Sequence, residues 1–269
     1  ADALSKRALH LTDEIIIVWV REAYAIPFVA LTLFFVPIPT LDSTFFITLL
    51  ALLPLEITAL ILYVKAIKIS PLSLTVPFMA LSPIFIIVIA FFMLHEAPDK
   101  SGFAGIALIA VGAYLLNASA SKHGLLGPLK AIRKEKGSLL MIIVALIYSI
   151  TSTLGKIAVT HSSPVFFGFI YPLILALILT VIVGRKGKLK QGFSRPATFL
   201  PIGFFTSIMM VSHFTAISMT DVAYMISVKR TSLIMSVFYG WALFKEEKIK
   251  ERLLGSIVML AGVILITAF

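Results

Sequence analysis

The chain has 269 residues, of which 59% are hydrophobic and only 13% charged, with a mean hydropathy of +1.05. A soluble domain is nearer about half apolar and a quarter charged, so this composition argues against one. The absence of cysteine excludes disulfides, thiolate metal ligands and thiol nucleophiles, and the net charge of +10 suits loops facing an anionic membrane better than nucleic acid.

Repeated apolar runs of about 20 residues predict an all-α membrane protein; the alternating pattern of a membrane barrel is absent. Residues 1–10 are too short to span and read as the end of a helix whose beginning is missing. No basic n-region, apolar h-region and cleavage site opens the chain. The first full span covers 13–35, with Arg21 and Glu22 in its middle, and the prolines of 36–42 end it. The next covers 44–67 and carries Glu56 near mid-depth. The span at 71–94 contains Pro71, Pro77 and Pro83. Pro71 suits a helix start, whereas Pro77 and Pro83 each remove a backbone donor and loosen the helix. Residues 95–100 form a short loop before a span at 101–118.

Residues 119–137 are the longest polar stretch, basic and weakly amphipathic. They fit either an interfacial segment on phospholipid or a solvated linker. Further spans follow at 138–158, 163–184, 197–217, 221–244 and 252–269. Lysine and arginine concentrate in the odd-numbered connections, while the even-numbered ones hold only Lys100 and Lys156. The positive-inside rule then puts the odd connections in the cytoplasm and the C-terminus outside.

A shift of 150 residues aligns the two halves without a gap. Lys6 meets Lys156, Ser82 meets Ser232, Glu96 meets Glu246, Gly105 meets Gly255 and Gly112 meets Gly262. The expected organisation is a first repeat over 1–120, a basic connection over 121–137 and a second repeat over 138–269. Two halves of five helices each must insert in opposite orientations, because five is odd. Inverted repeats mark transporters, with the site between the halves near mid-membrane. By the same register, the helix starting near Ser138 has a partner beginning about a dozen residues before Ala1, which gives ten helices.

The span at 221–244 carries Lys229 and Arg230 side by side. At about 1.5 Å per residue, Lys229 lies roughly 12 Å from Asp221, well inside a hydrocarbon core about 30 Å thick. Charges at that depth are costly and mark either a substrate path or a buried structural ion pair. Arg21, Glu22 and Glu56 lie at similar depth. Consecutive helix residues point about 100° apart, so Lys229 and Arg230 cannot both face one cavity. One is expected to pair with Glu56 or Glu22 while the other meets the ligand. Trp19, Tyr63, His213 and Tyr224 complete the candidate substrate-binding set; each also reads as ordinary packing. Gly105/Gly112 and Gly255/Gly262 lie on single faces, serving either close helix packing or a homodimer seam. No metal-ligand spacing, phosphate loop or nucleophile elbow is present, so neither catalysis nor a cofactor is expected.

Asp2-x-x-Ser5-Lys6, Pro71-Leu-Ser-x-x-x-Pro77, Phe92-x-x-x-Glu96 and Phe244-x-Glu246-x8-Gly255 carry a resemblance. The chain resembles the drug/metabolite transporter superfamily, in particular EamA-type proteins with two five-helix repeats. Lys229-Arg230 is similar to the pair that binds phosphate in plastid sugar-phosphate translocators. The resemblance implies alternating access around a central cavity, with both chain ends inside, in conflict with the loop charges. The expectation is a secondary transporter for a small anionic or zwitterionic organic solute, an integral protein of the cytoplasmic membrane contacting lipid. An exporter of amino acids or amphiphilic metabolites, a non-transporting scaffold subunit and a lipid enzyme or flippase-like protein are the rivals.

Overall fold

The computed structural model describes residues 1–31, 38–86, 89, 100–124, 126–219, 225–226 and 229–267. Among the described residues there are helices and turns and no strand. In chain order the helices are α1 (Asp2–Ala8), α2 (Glu14–Ala23), α3 (Ile26–Ala30), α4 (Ser43–Ile69), α5 (Leu72–Thr75), α6 (Lys100–Leu115) and α7 (Gly127–Lys134). Then follow α8 (Lys136–Thr160), α9 (Pro164–Arg185), α10 (Leu189–Gly192), α11 (Pro196–Met219), α12 (Ser232–Phe244) and α13 (Ile249–Thr267). Among these, α4, α8, α9 and α11 are long and apolar enough to cross a membrane, and shorter apolar helices run over Leu72–Ile86, Ser101–Leu115 and Ser232–Phe244. Exposed Ile47, Leu50, Leu177, Val181 and Phe205 give these helices the apolar outer surface that lipid requires.

Three expected spans are interrupted. The span expected over 13–35 breaks at Tyr24-Ala25, between α2 and α3. Pro27 has no N–H for the carbonyl one turn back, and the chain turns instead through Tyr24 N–H to Val20 and Ala25 N–H to Glu22. The span expected over 71–94 runs as α5, a 3₁₀ helix over Val76–Leu81 and helix again over 82–86. Pro77 opens that tighter stretch, as its missing donor dictates. The span expected over 221–244 breaks at Thr231, and α12 starts only at Ser232. No proline causes this break. Ser232 Oγ donates to the Lys229 carbonyl at 2.7 Å, a local bond that competes with the helix ladder. Residues 32–37, 90–99, 220–224 and 227–228 lie outside the described residues, and with them parts of the turn at 36–42 and of the loop at 95–100. The polar stretch at 119–137 is not all linker, since it contains α7.

The chain forms two compact units, Ala1–Val64 with Thr151–Val222, and Lys65–Ile150 with Ala223–Phe269. Each takes matching pieces of both sequence halves, because 1–64 moved by 150 residues falls on 151–214. In the first unit, α2 packs against its repeat counterpart α9, and also against α10 and α11. Ile15 to Val20 are all buried, so α2 is enclosed all round. In the second unit the most extensive packing joins the counterparts α6 and α13. A side chain added at Gly105 would stand 2.6 Å from the Gly262 carbonyl, and one at Gly112 would stand 2.7 Å from that of Gly255. The numbers rise on one helix as they fall on the other, so the two run antiparallel. The 150-residue shift turns the pair 105/262 into 255/112, the second contact itself. The glycine faces are therefore used within the chain, between α6 and α13.

Hydrogen bonds between connections respect their numbering. In the first unit Asp13 caps α2 through Ile15 N–H and also pairs with Lys188, which joins the first and seventh connections. Asp42 accepts from Phe45 N–H at 2.9 Å and pairs with His161 at 2.6 Å, joining the second and sixth. In the second unit Ser70 bonds Glu135, and Ser119 N–H donates to Glu251 at 2.6 Å. Odd connections thus meet odd ones and even meet even, as hairpins crossing one slab require.

Candidate functional site

In the second unit, Glu246 organises the start of the fourth span. Its carboxylate accepts from Leu72 N–H at 2.7 Å, Ser73 N–H at 2.9 Å and Ser73 Oγ at 2.5 Å. Arg252 donates to the same Ser73 Oγ at 2.5 Å and lies 3.4 Å from Glu246. A carboxylate at the first N–H groups of a helix satisfies donors that have no partner inside it. Gly240 leaves the room, since a Cβ there would stand 2.5 Å from Glu246 Oε2 and 2.9 Å from Ser73 Cβ. The sequence markers Pro71-Leu-Ser and Phe244-x-Glu246 are thus two halves of one contact.

The same unit holds the paired cations where the helix breaks. Arg230 is 6% exposed and donates from Nη2 to Ser82 Oγ at 2.7 Å. Ser82 Oγ also bonds the Met79 carbonyl at 2.9 Å, and Ser149 Oγ donates to the Ser82 carbonyl at 3.0 Å. A guanidinium is thereby tied to the end of the 3₁₀ stretch. Lys229 is exposed, whereas its neighbour Arg230 is buried. Tyr224, also a candidate, lies outside the described residues.

In the first unit, Arg21 is 7% exposed and donates from Nη1 to Asp2 Oδ1 at 2.8 Å and to Ser5 Oγ at 3.5 Å. Its guanidinium carbon stands 5.4 Å from the centre of the Tyr63 ring, within cation–π range. Tyr63 also reaches Asp2 with a side-chain hydrogen bond. Asp2 and Ser5 are three residues apart and share one face of α1. They join the cluster around Arg21, and the Asp2-x-x-Ser5 marker held the signal for them without naming their partner. Glu22 follows on α2, with 2% exposure. Arg21, Glu22, Glu56 and Tyr63 all belong to the first unit.

Trp19 and His213 are placed differently. Trp19 Nε1 donates to Thr180 Oγ1 at 2.7 Å, and its ring meets Tyr24 and Phe193 edge-on. Gly192 lies against that ring, and Tyr24 OH donates to the Gly192 carbonyl at 2.9 Å. Trp19 thus seats the α10 connection. His213 is half-buried on α11, its ring edge-on to Phe214. Arg230 is held by a hydroxyl of its own unit, and Arg21 by Asp2. Among the described residues no three His, Cys, Asp or Glu side chains gather as a metal-holding group.

Apolar helices that pair antiparallel with their own repeat counterparts, around buried charges and broken spans, define an integral membrane protein of the inverted-repeat transporter class. The EamA-like transporter family matches residues 1–118 and 135–268, one match on each side of the basic connection, and the chain belongs to this family. No curated protein matches the sequence.

Proposed function

We propose that this protein is a ten-helix secondary transporter that moves a small anionic or zwitterionic organic solute by alternating access. The observation that carries the reading is the cation pair at the break in the ninth span. Arg230 is fixed on Ser82, whereas Lys229 is exposed at a depth where only water or protein tolerates an ammonium. In this reading Lys229 meets the negative group of the solute, and Arg230 holds the broken helix to the fourth span. A scaffold has no need of an exposed lysine at that depth. The repeats are 1–120 and 138–269, joined by the basic 121–137 segment. The odd connections face the cytoplasm, because they carry nearly all the lysine and arginine.

A panel of organic anions and zwitterions, scored by thermal shift on purified protein, identifies the solute. Lys229→Met should then abolish the shift while melting near wild type. Arg230→Met should melt low, since it breaks a buried contact. Full affinity in both variants would remove the anion reading. Single cysteines at Ser194 and Ser43 should be labelled from opposite sides, and impermeant reagent reaching position 194 from outside intact cells would reverse the topology.

A further inference from the structure

Where α12 passes into α13, a groove of about 490 Å³ opens between Trp241, Lys248, Ile249, Lys250 and Glu251. Trp241 is 55% exposed in the last turn of α12. Phe238, one turn earlier, is exposed too, with its ring centroid 5.9 Å from that of the indole. Lys245, four residues after Trp241, is exposed at the end of the same stripe. On α13, Lys250, Leu254 and Ile257 recur at helical spacing, and all three are exposed. On each helix, therefore, an apolar stripe ends in lysine at the same connection. A phospholipid at a membrane surface presents acyl chain and headgroup in that order.

The backbone keeps charge at this place. Lys245 and Lys248 have φ of 51° and 59°, in the left-handed region that favours glycine. Lys245 N–H donates to the Trp241 carbonyl and Glu246 N–H to the Gly240 carbonyl, each at 3.1 Å, which closes the end of α12. Glycine would serve that closure with less strain, yet lysine stands there. Two neighbouring carboxylates are engaged elsewhere. Glu246 accepts from Leu72 N–H and Ser73 N–H and lies beside Arg252. Glu251 accepts from Ser119 N–H at 2.6 Å and from Ser119 Oγ at 3.2 Å. Glu247 is exposed, as are Lys245, Lys248 and Lys250, so the exposed groups of this connection carry an excess of positive charge.

We propose that this groove binds the headgroup of an anionic phospholipid, with Lys248 and Lys250 against its phosphate. The acyl chains then lie along Phe238, Trp241, Leu254 and Ile257. A zwitterionic headgroup brings its own cation and gains less from the two lysines. The site needs no particular solute and no particular direction of transport.

Trp241 is a built-in reporter, since the chain's other tryptophan, Trp19, is 4% exposed. The test is tryptophan fluorescence of the purified full chain in bilayers of phosphatidylcholine and phosphatidylglycerol, with bromine on the acyl chains of one lipid or the other. Brominated phosphatidylglycerol should quench at about fivefold or more lower mole fraction than brominated phosphatidylcholine. Trp241→Phe should remove the selectively quenched component. Lys248→Gln with Lys250→Gln should bring the two lipids close to equal. Lys186→Gln with Lys190→Gln removes the same charge from the seventh connection and should leave the preference intact. Equal quenching by both lipids in the wild type overturns the proposal. So does a preference that survives the Lys248/Lys250 pair of changes, or one lost equally with the Lys186/Lys190 pair. A preference abolished by free glycerol phosphate makes the site one for a soluble phosphate and overturns the lipid. Native mass spectrometry gives a second reading that needs no change at Trp241. The wild type should retain phosphatidylglycerol on release from detergent and the Lys248/Lys250 variant should lose it; equal retention overturns the site.

Discussion

Replacing Gly112 by alanine tests the contact on which the antiparallel repeat pairing rests. The new Cβ would stand 2.4 Å from Met259 Cγ, 2.7 Å from the Gly255 carbonyl and 2.7 Å from Met259 N. The methionine side chain can swing away, but the other two atoms are backbone of α13. Both lie well inside the 3.4 Å at which ordinary contact begins, so the helices must part. Overpacking of this kind costs about 1–3 kcal/mol. At about 2–4 °C per kcal/mol for a chain of this size, the melting temperature should fall by roughly 2–12 °C. Gly155→Ala is the internal control. Nothing lies within 4 Å of a Cβ there, and alanine gains up to about 1 kcal/mol of helix propensity. The reciprocal variant Gly255→Ala meets the Gly112 carbonyl at 2.7 Å and Leu116 N at 2.8 Å. Once the helices have parted, the second methyl finds room, so the double variant should lose less than the sum of the singles. The assay is thermal unfolding of purified protein in detergent, followed by intrinsic fluorescence. A Gly112→Ala protein that melts at or above wild type would refute the close approach of α6 and α13, and with it the antiparallel pairing of the repeats.

Three further outcomes follow from other contacts. Glu246→Gln should destabilise the protein by about 3–5 kcal/mol, since it strands the buried Arg252; urea unfolding of the purified variant measures this, and wild-type stability would show that the carboxylate caps nothing. Asp42 is held below its ordinary value of 3.8 by the Phe45 N–H and then by His161. Its contribution is therefore complete above that value and lost as the pH falls through the lower folded value, so the melting difference between wild type and Asp42→Asn should be present at neutral pH and vanish in strong acid; a difference that persists there would contradict the carboxylate's role. Replacing both Pro77 and Pro83 with alanine should restore regular helix across the 3₁₀ stretch and slow solute exchange more than it weakens equilibrium binding, and an unchanged exchange rate would count against a hinge there.

The lengths of the apolar runs made α4, α8, α9 and α11 legible, because a bilayer demands about 20 apolar residues whatever surrounds them. Interruptions were less so. Pro27 was visible and should have divided the first span; Pro77 announced its 3₁₀ stretch; the break at Thr231 has only a serine hydroxyl behind it, and serines sit in unbroken helices too. That Arg21, Glu22 and Arg230 are buried charges was legible, because a charge in the middle of an apolar run stands out. Their partners were not. Arg230 and Ser82 are 148 residues apart, and Arg21 and Asp2 lie on different helices. Nothing in a one-dimensional period connects such pairs. Two partner sets were nevertheless present as motifs: Asp2-x-x-Ser5, and Pro71-Leu-Ser with Glu246.

The repeat is symmetric in its packing and asymmetric in its chemistry. The contacts between α6 and α13 map onto themselves under the 150-residue shift, and α2 lies against its counterpart α9. Yet the counterparts of Arg21, Glu22 and Glu56 are Tyr171, Pro172 and Thr206, and those of Lys229 and Arg230 are Met79 and Ala80. Each of these five charges therefore occurs in one half only. Duplicating them would set like charges on counterpart helices that pack together, and desolvation makes each such addition costly. Apolar and small residues carry no such penalty, so Gly105, Gly112, Gly255 and Gly262 occur in both halves and hold matching places. The first unit takes Asp2, Glu22, Glu56 and Arg21 from the first half of the sequence, and the second unit takes its cation pair from the second half. Packing thus keeps the two halves alike, while the cost of buried charge keeps their functional residues different.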